Sequence, residues 1–305
     1  MAPFTPKPAL EKVPLAVRKD SKFRDKYEEK QADLESQISK LLGTNFTLAI
    51  NANEIVPYVK DTNRTSVGGM FTSYVNGFIA ALQHYLEKYG EDGKVRFNAA
   101  VSKSQLSIHV DEKGDDGRTI SADVKDGVYR ILFNHDRVGY NMSSQQEFVL
   151  PAIEAASTGG GFSLLAQNSI EKEYNSQVGE VQKQIAEITG IANVVLDPNF
   201  EENYEALSAL PDKKWHANFG KVHLAYFEGL KGQLEQQGFK KDDMLQEGLQ
   251  EALESKTFKI RLVKATKDNK TNEIVIEDGC AYIQTTIDRW WYNVRDAGAG
   301  LVKLL

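Results

Sequence analysis

The chain offers few places for chemistry: five histidines, one cysteine, an acidic loop, a glycine run and two copies of a D-R-x-x-Y-N string. The histidines are His84, His109, His135, His216 and His223. His216 and His223 stand seven residues apart on a predicted helix, two turns apart on one face. Helical metal ligands sit on adjacent turns, so this pair reads as surface or packing histidines. The acidic string DEKGDDG (111–117) lacks the EF-hand spacing and its terminal Glu, and reads as a solvated hairpin tip. Cys280 lies in the strand-like run 276–283 with no histidine nearby in sequence, and there is no G-x-S-x-G. It reads as a small buried residue, and a single cysteine excludes an internal disulfide. The string STGGGFS (157–163) would offer N–H groups to a phosphate if a helix began at Phe162. It lacks the P-loop lysine and a preceding strand, and reads as a linker. No catalytic residue, metal ligand or cofactor is assigned on these grounds.

The repeated string carries more. DGVYRILFNHDRVGYNM (126–142) aligns without a gap on DGCAYIQTTIDRWWYNV (278–294), and seven of seventeen positions are identical. About one match is expected by chance. A turn that leaves a sheet explains Asp, Asn and Arg at these places, with Tyr covering the core and keeping its hydroxyl wet. A binding role would build two related anion sites on Arg137 and Arg289, flanked by Asp136, Asp288, Tyr140 and Tyr292. The two copies differ where Val138-Gly139 faces Trp290-Trp291. Adjacent tryptophans cannot both face one core, since in a helix they are about 100° apart. One is expected at a surface, as an anchor for a partner or ligand, or against the other half.

The same offset of 152 residues places Leu106, Ile108 and Val110 over Phe258, Ile260 and Leu262, alternating apolar positions on a strand. Upstream the offset is 147, and QISKLLG (37–43) falls over QIAEITG (184–190). A tandem duplication follows. Each copy reads as helix, strand, helix, short helix and three-strand meander. The first helix spans about 21–42, capped by Asp20 or Ser21 and ended by Gly43. Its stripe of Phe23, Tyr27, Leu34, Ile38 and Leu41 is matched by Tyr174, Val178, Val181, Ile185 and Ile188. The second helices span about 68–88 and 216–236, closed by Gly90 and Gly238. Residues 94–103 look strand-like by composition, but their partner DDMLQEGLQEALES is helical, so both are read as helix. The strands are placed at 105–110, 119–124 and 128–134, and at 257–263, 273–277 and 280–286. The DG pairs at 126 and 278 mark tight hairpin turns with both central residues at positive φ.

The predicted class is therefore α+β: a mostly antiparallel sheet in each copy, helices on one face, and a pseudo-two-fold arrangement. The predicted domains are a Pro-rich extended arm (1–19), a first repeat (20–156), a Gly-rich linker (157–163) and a second repeat (164–305).

Charge narrows the partners. The net charge is −6. The basic cluster from Lys12 to Lys30 is interleaved with acids from Asp20 onwards, as on a solvated helix, so nucleic acid is not expected. No run approaches a membrane span, and the mixed-charge helices do not resemble membrane-active ones. The start MAPFTPKPALEK lacks the apolar stretch of a secretory signal, so a cytoplasmic location, or export by an unconventional path, is expected. The sequons at Asn45, Asn63, Asn141 and Asn269 then have no meaning. Three functions remain. The first is a non-enzymatic binding or assembly protein that takes a protein partner or self-associates, using Trp290 and Trp291. The second is an enzyme or small-molecule binder with its site in the crevice between the halves. The third is a soluble protein that inserts into membranes.

Overall fold

Strand burial decides the order of the sheets. In the run 128–133, Tyr129, Ile131 and Phe133 are wholly buried on one face, and Leu132 on the other face is buried too. Such a strand belongs inside a sheet. The run 120–125 carries Ser121, Asp123 and Lys125 on its second face and suits an edge. A computed structural model of the chain, which describes residues 4–18, 27–112, 118–157 and 161–305, has this arrangement. The chain divides into two compact units, Met1–Gly159 and Gly160–Leu305.

The first unit contains α1 (Gln31–Leu42), β1 (Thr47–Leu48), the long helix α2 (Val67–Ala100), β2 (Gln105–Val110), β3 (Ile120–Lys125), β4 (Val128–Phe133) and α3 (Gln146–Ala156). The second contains α4 (Leu164–Ser169), which runs through a π-helical turn at Ile170–Asn175 towards α5 (Val178–Thr189). It continues with β5 (Val195–Asp197), α6 (Phe200–Leu207), α7 (Phe219–Gln236), α8 (Asp243–Ala252), β6 (Thr257–Val263), β7 (Asn272–Glu277) and β8 (Cys280–Thr286).

The sheets are β1-β2-β4-β3 and β5-β6-β8-β7. In each, two pairings are parallel and only the last, β3–β4 or β7–β8, is antiparallel. The expected antiparallel meander is thus corrected to a mixed, mostly parallel sheet. The reason is that β4 and β8, the most buried strands, insert beside β2 and β6 and push β3 and β7 to the edge. The loop 111–117, read from sequence as a hairpin tip, and its counterpart 264–272 therefore join strands that are not neighbours. Residues 113–117 lie outside the described residues. The DG turns hold as expected, with φ of 52° and 75° at Asp126 and Gly127, and 49° and 70° at Asp278 and Gly279.

Register also agrees between the units: Leu106 opposes Tyr129 as Phe258 opposes Ala281, and Ile120 opposes Phe133 as Asn272 opposes Thr285. Gly43 and Gly190 end α1 and α5 in the left-handed conformation, both at φ 67°. Residues 94–100 are helical, as their partner is, because α2 continues past a break at Gly90 (φ 58°, ψ −142°). The second unit makes a full stop there, and the Asp242 side chain caps α8 by accepting from the Met244 and Leu245 N–H groups. The predicted caps Asp20 and Ser21, and Phe23 of the stripe, lie outside the described residues.

The arm is not wholly irregular. Residues 4–14 lack regular structure but lie along the first unit, where the Lys7 N–H donates to the Tyr58 hydroxyl and the Leu10 N–H to the Asn53 carbonyl. A helical turn follows at Leu15–Arg18, and Val17 is buried. One face of each sheet carries the core. In the first unit Phe46, Phe78, Phe97 and Tyr129 pack with ring centroids 4.8–6.4 Å apart. Each such buried ring contributes about 1.5–3 kcal/mol. In the second unit Asn203 of α6 seals the part of β6 that β5 does not reach, donating to the Ile260 carbonyl and accepting from the Leu262 N–H.

The segment after each central strand returns across the long helix. A Cβ on Gly77 would collide with the Met142 carbonyl, and one on Gly229 with the Val294 carbonyl. Nothing lies near Gly232, one turn further along α7. Gly229→Ala should therefore cost about 1–3 kcal/mol of stability in urea unfolding. Gly232→Ala should add about 0.5–1 kcal/mol, by removing backbone freedom from the unfolded chain. Equal effects at the two sites would show that the close approach is not needed.

Candidate functional site

The two D-R-x-x-Y-N strings form the same turn. The Tyr140 N–H donates to the Arg137 carbonyl, as the Tyr292 N–H does to that of Arg289. The Ser144 N–H reaches the Asn141 carbonyl, as Asp296 reaches Asn293. Asn141 and Asn293 are left-handed, at φ 51° and 50°, and so are Gly139 and Trp291, at 83° and 85°. The Gly139 N–H donates to the Tyr74 hydroxyl of α2 at 2.8 Å. Burial pushes that phenol up to about 12, and the bond from Gly139 works against the shift.

In the first unit this turn walls a cavity of about 630 Å³. Two sequence-predicted residues, Asp136 and Tyr140, line it together with Val138 and Gly139. The helix opposite supplies Gly69, Met70, Thr72 and Ser73, and Met142 follows the turn. Tyr58, Val59, Asn63 and Ser66 come from the segment before α2, while Lys30 and Lys60 bring ammonium groups. Tyr58 is held from behind by the arm: its hydroxyl accepts from Lys7, whose Nζ lies 5.0 Å from the ring centre. Burial raises the Tyr58 phenol above its ordinary value, and the bond from Lys7 opposes this. The Asp136 carboxylate is 3.1 Å from Nε2 of His135, whose ring packs against Phe4. Among the described residues, neither Lys30 nor Lys60 has an ion-pair partner. Arg137 is exposed and is not among the lining residues.

The second unit treats the same place differently. A shift of 152 residues puts Trp215 at Asn63, Leu224 at Thr72, Ala225 at Ser73 and Trp290 at Val138. Trp290 is buried, its ring 4.8 Å from His223, 5.5 Å from Tyr226 and 6.4 Å from Phe219. Trp215 is equally buried, against Tyr204 and Phe219. Trp291, Tyr292 and Asp288 are exposed. Arg289 is spent on the loop before β7, donating to the Asn269 and Lys270 carbonyls and to the Asn269 side chain. Of the two predicted tryptophans, one therefore belongs to the core and the other to the surface, as adjacency required.

Sequence reasoning placed Lys30 in a basic cluster and Asn63 in a sequon, and it assigned none of Lys30, Lys60, Asn63, Met70, Ser73 and Met142 to a binding site. The available signal was the alignment of the two halves: Asn63, Thr72, Ser73 and Val138 fall over Trp215, Leu224, Ala225 and Trp290. Among the described residues no group of three or more His, Cys, Asp or Glu side chains could hold a metal ion. No helix among them is long and apolar enough to cross a membrane. Comparison with protein-family models, characterised proteins and solved structures finds no match to this chain.

His223 is wholly buried beneath Trp290. Its Nδ1–H donates to the Phe219 carbonyl, and its Nε2 faces the Asn203 amide at 3.3 Å. Burial drives its pKa down to about 3, although the bond to Phe219 opposes the shift. An unfolded histidine takes a proton below about 6.5 and this one does not until about 3, so acidification across that window favours unfolding. The loss from this group approaches about 1.4 kcal/mol per pH unit. Urea unfolding at pH 6, 5 and 4 should give a shallower decline for His223→Gln than for the native chain. Parallel declines would show that His223 is not held neutral.

Proposed function

We propose that this chain is a non-enzymatic binding protein built from two copies of one α/β unit, repeats 20–156 and 164–305 joined by the linker 157–163. The first copy holds a small-molecule ligand in its cavity. The shared strand order, registers, left-handed positions and glycine contacts support the duplication. The observation that carries the binding reading is the cavity itself. At about 630 Å³ it falls in the size range of ligand sites, and its wall mixes apolar surface with a few polar groups. The lining offers thioethers, phenols, hydroxyls, an amide and two ammonium ions, which suit holding a molecule. Equilibrium dialysis of the protein against a metabolite extract tests this. The native chain should retain at least one compound that Val138→Trp, which brings the second unit's bulk into the first, does not. Identical retention by both would defeat the proposal.

A second reading, assembly with a protein partner or a second copy, is favoured by Trp291 and Tyr292. They stand 45 % and 64 % exposed, and Trp291 is held at a positive φ that its Cβ opposes. Glycine suits that backbone, as at Gly139. Trp291→Gly should therefore keep the native melting temperature while shifting the mass measured by light scattering at high concentration towards the monomer. A mass unchanged by the substitution would remove the assembly reading.

A further inference from the structure

The cavity's ligand class can be read from its unpaired charges and from what the second unit does with the same space. We infer that the first unit binds one small organic anion per chain. Lys30 and Lys60 face its acidic group, and an apolar body packs against Met70, Met142 and Tyr140. This rests on the proposed binding function and makes it specific.

Three observations lead here. The first concerns charge. Among the described residues three charged side chains line the cavity: Lys30, Lys60 and Asp136. Asp136 already faces His135 at 3.1 Å, whereas neither ammonium group has an ion-pair partner among the described residues. A ligand entering the space therefore meets uncompensated positive charge, which favours an anion most at low ionic strength. The second concerns shape. Met70 and Met142 are unbranched and polarizable and adapt to an irregular apolar body, while Tyr140 lends a ring face.

The third is an internal control. Both units share the helix, the turn and the contact between them, yet Trp215 and Trp290 enter the core of the second where Asn63 and Val138 border open space in the first. Interiors otherwise pack to crystal-like density, so a fold that fills this place in one copy and leaves it open in the other treats the opening as a separate feature. It follows that the second unit does not repeat this site.

The test uses two fluorescent probes with similar aromatic bodies. 8-Anilinonaphthalene-1-sulfonate carries the negative charge, and N-phenyl-1-naphthylamine lacks it. The sulfonate should bind the full chain saturably, one per chain, and at least about tenfold more tightly than the neutral amine in low salt. That difference is about 1.4 kcal/mol. Lys30→Gln and Lys60→Gln should each weaken the sulfonate about threefold or more and leave the amine unchanged. Val138→Trp should abolish both signals. Ser73→Trp, at an exposed helix position, gives the same test should Val138→Trp fail to fold by circular dichroism.

Equal affinity for the two probes, with no response to the lysine variants but loss on filling the cavity, would overturn the anion while leaving the binding site standing. Binding that survives both Trp variants, or no saturable binding of the sulfonate, would overturn the inference. Survival would take the proposed site with it.

Discussion

Each unit depends on one close contact between backbones. The chain leaving the central strand must cross the long helix, and it does so where that helix carries a glycine. Met142 seats its carbonyl against Gly77, and Val294 does the same against Gly229. Any side chain at the glycine would lift the crossing segment away. In the first unit the approach is locked by a hydrogen bond from Gly139 to the buried hydroxyl of Tyr74, three residues before Gly77 on the same helix. The contact fixes where the 136–142 turn stands relative to residues 69–73, and so where the cavity wall is. The D-R-x-x-Y-N string is the sequence trace of this crossing. Its Asn adopts the left-handed conformation that ends the turn, and its Arg in the second unit ties down a neighbouring loop.

With the scaffold fixed, side-chain volume decides what happens beside it. In the second unit two indoles, a buried neutral histidine and several phenyl rings make a continuous aromatic packing. Each buried ring adds about 1.5–3 kcal/mol, so that unit gains stability where the first leaves room. In the first unit Asn63 and Val138 stand where the two indoles are, and beside them Thr72, Ser73 and Gly139 leave space and present hydrogen-bonding groups to it. The difference lies between a place used to stabilise the fold and one kept accessible. Under the proposed duplication, the copies have divided these tasks.

Much of this was legible in sequence where local chemistry decides structure. Alternating apolar residues located the strands. The DG pairs gave their turns, because both positions favour positive φ, and Gly43 and Gly190 gave the helix ends. The helical reading of 94–100 came from its partner segment and overrode its own strand-like composition. Strand order was not legible, because it depends on which strand buries both faces. Leu132 at the second face of β4, and Gln284, Thr285 and Thr286 in β8, carry that information only once burial is known. The helix α3 was missed because Pro151 sits inside it, a residue that normally argues against a helix. The cavity was missed because Lys30, residues 58–73 and residues 136–142 meet only in the folded chain. Polar and small residues in 63–73 carry no signal until they are compared with 215–225.

Trp291 shows what enforces the turn. A bulky residue at φ 85° is strained, by roughly 1–3 kcal/mol, whereas Gly139 adopts nearly the same angle freely. If local preference set the backbone, the two turns would differ, since one has glycine and the other tryptophan. They share these φ values and two backbone hydrogen bonds, from Tyr140 to Arg137 and Ser144 to Asn141 in one and from Tyr292 to Arg289 and Asp296 to Asn293 in the other. The geometry is therefore imposed from outside the turn, by the helix it crosses and the strand it leaves. In the second unit the strain at Trp291 is offset next door, where Trp290 buries its ring among Phe219, His223 and Tyr226. A scaffold that holds its shape through such a substitution can vary the residues along this wall without moving it, and that property lets one unit keep a cavity where the other has a core.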